Sequence, residues 1–272
     1  DAVLREVGQR LMRESNDRIA LARLGGDEFA ILVCGEVSGE ALIELSGQLC
    51  AALRAPYHVF GMEVAITGTI GFAAYPDAGL SVETLYERAD YALYTAKENG
   101  RGGMQMFTPE LQDALSQSKS VELALHRADL DAEFHLEFQP IFDVATDKPF
   151  AFEALARWNS PSLGKVAPDR FIRIAEKSGL IHRLTRTLLG KALDIAKTWP
   201  ANVGLSFNLS MRDLTSREAM LSLTSRIMSS GFPPSRLTLE ITESAFMRDY
   251  EAASEALALL KRLGVKISLD DF

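Results

Sequence analysis

Residues 203–210 read VGLSFNLS, and the two faces of this short stretch differ in kind. One parity carries Val203, Leu205, Phe207 and Leu209, and the other carries Gly204, Ser206, Asn208 and Ser210. Side chains of a strand alternate with a period of two, so the stretch predicts a strand with one apolar face and one small, polar face. LTLEITE at 237–243 repeats the arrangement, with Thr238, Glu240 and Thr242 on the polar parity, and KISLDDF at 266–272 repeats it with Lys266, Ser268 and Asp270. Two further strands are predicted from HLEFQPIF at 135–142 and FAFEALARW at 150–158, and helical spacing marks 168–177, 180–199, 217–229 and 250–263. Strand and helix in alternation predict a parallel sheet or a (β/α) barrel.

A central parallel strand is normally apolar on both faces. The polar parities therefore need a reason, and each places an oxygen-bearing residue, Asn208, Glu240 or Asp270, near the C-terminal end of its strand. Glu153 on FAFEALARW is a fourth, and Asp271, on the opposite parity at a strand end, is placed to reach the same mouth. Barrel enzymes keep their sites at that end. Carboxylates converging there repel unless cations bind between them, which is the logic of a one- or two-metal hydrolytic site. The blander alternative is a set of solvated strand-end acids. Arg157 is read either as a phosphate contact or as the salt-bridge partner of one of these acids. Gln139 carries little by itself, and His135 and His182 are expected at the surface or in packing.

The first half has a different signal. ARLGGDEFAILV at 22–33 sets Gly25, Gly26, Asp27 and Glu28 between two apolar runs. Glycines permit positive φ and close backbone approach, and the two acids supply hard oxygens beside them, as a phosphate-and-metal site requires. A plain hairpin with a Gly-Gly turn accounts for the same residues. Lys97 and Arg101, four apart near the end of a helical stretch, are expected on one helix face, to grip phosphates or to complement the helix dipole. Around them the pattern predicts a helix from residue 2, a helix at 38–53 and another along 81–101 closed by Gly100, one strand pair within YHVFGMEVAITGTIGFAAYP at 57–76, and a last short strand MQMF.

The whole chain bounds the chemistry. Its 272 residues suit two domains, and 37 acids against 29 bases, net charge −8, argue against broad adhesion to nucleic acid polymers or anionic membrane. Two cysteines and four scattered histidines offer neither a disulfide framework nor a zinc site, so a reducing cytoplasm and oxygen-ligated Mg2+ or Mn2+ are expected. No apolar run approaches a membrane span, and no membrane contact is expected within the segment.

RLGGDEF, with RADYALYTAKENGR at 88–101, resembles the GGDEF diguanylate cyclases over about residues 1–108. That family joins two GTP molecules into cyclic di-GMP across a dimer of domains, with Mg2+ or Mn2+. The resemblance implies that Asp27 is a metal ligand, Glu28 its acidic companion, Gly25 and Gly26 the turn over the phosphates, and Lys97 and Arg101 the triphosphate grip. Asp1 aligns with an Asp that contacts guanine. The family's inhibitory Arg-x-x-Asp falls on Asn16 and Ile19, so product inhibition through it is not expected; Arg13 and Asp17 lie out of register.

FQPI, EALARW, NLS, LEITE and DDF resemble the EAL phosphodiesterases, which hydrolyse cyclic di-GMP to linear pGpG on a TIM barrel. That resemblance implies Glu153, Asn208, Glu240, Asp270 and Asp271 as metal ligands, Asp271 beside the attacking water, and Gln139 and Arg157 as substrate contacts. The expected architecture is α/β: a GGDEF domain with a nucleotide-cyclase palm-like fold at 1–108 lacking its N-terminal part, a helical linker at 109–118, and an EAL TIM-type barrel at 119–272 lacking its C-terminal part. The expected function is cyclic di-GMP turnover by the full-length protein, the segment alone being inactive. A non-catalytic sensor of GTP or cyclic di-GMP is the alternative.

Overall fold

The structure is a computed structural model that describes residues 2–14, 17–59, 61–242 and 250–270, the side chains at 242, 250–252 and 270 excepted. The chain forms two compact units, Asp1–Ser116 and Gln117–Phe272.

In the first unit, helix α1 (Ala2–Arg13) buries Val7 and Leu11, one helical turn apart, against Leu49 and Leu53 of α2 (Gly39–Arg54) and against Tyr57. Arg10 lies over the Tyr57 ring, 3.7 Å from its centroid, and donates to the Ala52 carbonyl at 3.1 Å. This arrangement ties α1 to the end of α2, where C-terminal carbonyls lack helical partners. Ser38 caps the other end of α2 by accepting from the Ala41 N–H.

Strands β1 (Ile19–Gly25) and β2 (Glu28–Val33) pair antiparallel, with Leu21, Phe29 and Ile31 packed on the same cluster. The expected strand pair at 57–76 is instead two features. β3 (Tyr57–Val59) and β4 (Met62–Val64) form a hairpin, whereas β5 (Ile70–Phe72) pairs parallel with β6 (Met104–Met106). A parallel pair needs a long crossover, and α3 (Val82–Glu98) supplies it.

That crossover brings α3 so close to β5 that a Cβ at Gly71 would stand 2.0 Å from the Leu93 backbone nitrogen and 2.3 Å from the Ala89 carbonyl oxygen. Only a residue without a side chain fits there.

Among the described residues the second unit is built on five strands in the order β12-β11-β10-β8-β7, with a short β9 (Gly164–Val166) paired to β8. β8 (Lys148–Ser160), β10 (Gly204–Asn208), β11 (Leu237–Thr242) and β12 (Lys266–Asp270) run parallel, as the alternation predicts. β7 (Phe134–Asp143) runs antiparallel to β8. Only residues 144–147 join the two, too few for a crossover, so the chain reverses in a hairpin. Asp143 fixes that turn by accepting from the Ala145 and Thr146 N–H groups and from the Thr146 hydroxyl, and these bonds hold its carboxyl below the usual range.

The apolar parities of β10 and β11 enter one core, whereas on β12 Ile267 is only partly buried against it and Leu269 is exposed. Leu205, Phe207 and Leu209, with Leu237, Leu239 and Ile241, pack beneath α7 (Ile181–Ala196), whose Leu184, Leu188, Leu189 and Leu193 are buried in the same cluster. On the same face, towards the β7 edge, Phe134 stacks on Trp158 at 5.1 Å, Phe171 meets both edge-on, and the Trp158 indole donates to Glu133 at 2.9 Å. The indole is buried with its polar atom satisfied.

Gly71→Ala should destabilise the first unit by about 1–3 kcal/mol, because the clash is with backbone atoms of α3 that cannot move alone. Denaturant unfolding followed by circular dichroism checks this, and an unchanged midpoint would mean that α3 does not approach β5 so closely.

Candidate functional site

Polar positions on the five strands line up by register. Gln139 of β7 is the Cα partner of Glu153 on β8, Glu153 of Ser206 on β10, Ser206 of Thr238 on β11 and Thr238 of Lys266 on β12. One step of two residues towards the C-terminal ends, Asn208, Glu240 and Ser268 form a second row, and a further step pairs Thr242 with Asp270. Each step is about 6.6 Å along a strand. Four of the five expected ligands therefore climb the sheet: Glu153 in the first row, Asn208 and Glu240 in the second, Asp270 in the third.

Side chains bridge these rows. Asn208 Nδ2 donates to Glu153 Oε1 at 2.7 Å, and the Ser206 hydroxyl donates to Glu240 Oε1 at 2.6 Å. Ser206 is 2% exposed, so its bond fixes one oxygen of Glu240 from below, whereas Asn208 is open to solvent. Two carboxylates and an amide on neighbouring strands form a set of hard oxygen donors, and that chemistry fits a divalent cation of the Mg2+ and Mn2+ class. Among the described residues no group of three His, Cys, Asp or Glu side chains is gathered. The backbone of Asp270 is placed in register, but its side chain and all of Asp271 lie outside the described residues.

The segment after Asn208 is anchored by residues that sequence reasoning missed. Leu209 donates its N–H to the Glu240 carbonyl, and the Ser210 hydroxyl donates to Glu176 on α6 (Pro168–Ser178) at 2.6 Å. Asp213, fully buried, is bonded through one oxygen to His182 Nδ1 and through the other to the Thr185 hydroxyl, both at 2.7 Å. Asp213 lies in a short helix, Met211–Thr215, and both its partners lie on α7, so the segment leaving the candidate site is tied to the helix layer. His182 is thus a half-exposed partner of a buried acid. Nothing in MRDLT distinguishes Asp213 from a surface acid; only the fold shows which way it faces.

Arg157 pairs with Glu137, its Nε donating to Oε2 at 2.7 Å, rather than with any of the expected ligands. Gln139 is the cross-strand neighbour of Glu153, and His135 that of Arg157.

In the first unit, the hairpin turn is Gly26–Asp27, with Gly25 still in strand β1 and paired with Glu28. Gly26 has φ +52, where an L side chain is strained, and the Arg23 guanidinium donates to its carbonyl at 2.7 and 3.1 Å. Gly25, Gly26, Asp27 and Glu28 are all exposed. Lys97 and Arg101 do not share a helix face. α3 ends at Glu98, and the chain then turns through Gly100 at φ +125 and Arg101 at φ +48, which takes Arg101 off the helix. Both side chains are exposed. Asp1 and Asn16 lie outside the described residues.

The family model "EAL domain" matches residues 122–272, and "Diguanylate cyclase, GGDEF domain" matches residues 1–103. An uncharacterized signaling protein of Caulobacter vibrioides is 37% identical over all of this chain and 34% of its own length. The bifunctional diguanylate cyclase/cyclic di-GMP phosphodiesterase MucR of Pseudomonas aeruginosa is 33% identical, over all of this chain and 40% of its own. A solved structure named as the PaMucR phosphodiesterase, c-di-GMP complex, is 30% identical with a TM-score of 0.52, covering 56% of this chain and 64% of that one. The chain spans about a third of the length of curated relatives that it matches. With the register of its polar strand positions and the match of more than half its residues, the chain belongs to the EAL domain family, carried in tandem behind a GGDEF domain.

Proposed function

We propose that the full-length protein turns over cyclic di-GMP, hydrolysing it to linear pGpG at the sheet of the second unit and making it from two GTP at the first. The observation that carries the hydrolytic reading is the 2.7 Å bond between Asn208 and Glu153 across β10 and β8, with Glu240 one register row away and buttressed by Ser206. Glu153, Asn208, Glu240, Asp270 and Asp271 are the residues assigned to hold Mg2+ or Mn2+. Such a cation, when bound, supplies positive charge at the attacked phosphate and acidifies a bound water. The chain itself contributes position: Gln139 and Arg157 bind the dinucleotide, with the guanidinium on a phosphate, and Asp271 stands beside the attacking water. The Ser206 hydroxyl keeps Glu240 in one rotamer before substrate arrives, and Asp213 holds the loop after Asn208 to α7, so less ordering remains to be done on binding. Cleavage adds one water across one of the two phosphodiesters, and the proton leaves with the 3′ oxygen.

For synthesis, the exposed Gly25–Glu28 corner is assigned the phosphates and a cation through Asp27, with Glu28 beside it, Lys97 and Arg101 on the triphosphate and Asp1 on guanine. Two such domains, one from each copy of the chain, would face one another, so a homodimer is assigned. The proposed division is 1–108 for GGDEF, 109–118 for linker and 119–272 for EAL. Among the described residues no helix is long and apolar enough to cross a membrane. Cys34 and Cys50 are both free, which supports assignment to the reducing cytoplasm.

Glu153→Ala in the full-length protein should lower hydrolysis by about 100-fold or more while the unfolding midpoint stays put, since it removes a hard ligand from a half-buried site. Replacing Mg2+ or Mn2+ by Ca2+ should leave little turnover, because the larger ion tolerates looser geometry. Near-normal pGpG formation by the variant, read by chromatography, would remove Glu153 from the site.

Asp27→Asn should abolish cyclic di-GMP formation from GTP while the β1–β2 hairpin persists, because size is kept and charge is lost. Unaltered metal dependence of GTP binding in this variant would return the corner to a plain turn. Loss of metal-dependent GTP binding in a protein whose parent forms no product would identify a sensor instead.

A further inference from the structure

Arg157 sits on the polar face of β8, four residues past Glu153 and nearer the C-terminal end of the strand. Its guanidinium is held at two points. Nε donates to Oε2 of Glu137 at 2.7 Å, and Nη1 donates to the Ala156 carbonyl at 3.0 Å. Glu137 reaches it from β7 as a diagonal cross-strand neighbour, the direct partner of Arg157 being His135. A guanidinium has five N–H donors, so these two bonds leave one on Nη1 and two on Nη2, the nitrogens that share the Nη1–Nη2 edge. That edge matches two oxygens of a phosphodiester in bidentate fashion.

We propose that Glu137 is a positioning residue, which orients Arg157 so that its Nη1–Nη2 edge is preset for the substrate phosphate. The inference rests on the reading of Arg157 as a phosphate contact. Stability alone gives the pair little purpose: the Glu137 side chain is 59% exposed and that of Arg157 31%, and exposed pairs add little to folding. The same exposure screens the repulsion between the carboxylate and an incoming phosphate. Orientation is left as the larger effect, because an unheld Arg side chain must be ordered at the moment of binding.

Three variants of the full-length protein test this, with cyclic di-GMP affinity measured by calorimetry in Ca2+ to suppress turnover, and KM and kcat in Mg2+. Glu137→Ala should weaken binding about fivefold and raise KM by the same factor with kcat nearly kept. Glu137→Gln, which keeps an oxygen acceptor for Nε and drops the charge, should restore binding to within about twofold of the parent. Tighter or unchanged binding in Glu137→Ala would overturn the proposal, as would an equal loss in both Glu137 variants, which would mean that charge and not orientation matters. Arg157→Ala should weaken binding about tenfold or more. No effect there would sink the phosphate role of Arg157 itself, a failure separable from that of Glu137.

Discussion

The pairing of β10 between β8 and β11 is the constraint on which the second unit depends. A slip of one residue in that register would turn Leu205, Phe207 and Leu209 to the polar face and bring Ser206 and Asn208 under α7. Each of the large apolar side chains contributes about 1.5–3 kcal/mol by its burial, so the slip is forbidden several times over. The same register that buries the core therefore sets Glu153, Asn208 and Glu240 in neighbouring rows. Core and candidate site are two faces of one decision.

Around that sheet, polar groups are spent on fixing loops rather than elements. Asp143 closes the β7–β8 hairpin, Ser210 and Asp213 pin the loop after β10, and Lys191 donates to the carbonyls of Leu130, Asp131 and Phe134, each at 2.8 Å, where β7 begins. A fully buried carboxylate such as Asp213 is tolerated because both oxygens are bonded. Loops that carry function must be held by a rigid scaffold, and here the helices α6 and α7 do the holding.

The first unit is organised differently. Among the described residues its pairings are three separate two-stranded ones, and its coherence comes from α1, α2 and α3 packing on them. Gly71 allows the closest approach, between α3 and β5, and Arg10 joins three segments through backbone carbonyls and the Tyr57 ring. The signature corner stands at the exposed tip of a hairpin, with its backbone shaped by Gly26 and held by Arg23.

The sequence by itself determined the periodicities and hence which residues face the core: the parity of VGLSFNLS and LTLEITE is reproduced in the buried cluster, because alternation is a local property of extended backbone, whereas that of KISLDDF is reproduced only in part, with Leu269 exposed. It also carried the two family signatures, which are strings of residue types. Tertiary structure decided what depends on partners distant in the chain. The direction of β7 against β8, the pairing of β5 with β6, the row-by-row stagger of the candidate ligands and the departure of Arg101 from its helix are of this kind. So are the contacts of Arg157 with Glu137 and of Asp213 with His182 and Thr185, made across 20, 31 and 28 residues of sequence. No local pattern encodes such a meeting, since it exists only once the strands are in register and the helices are packed against them.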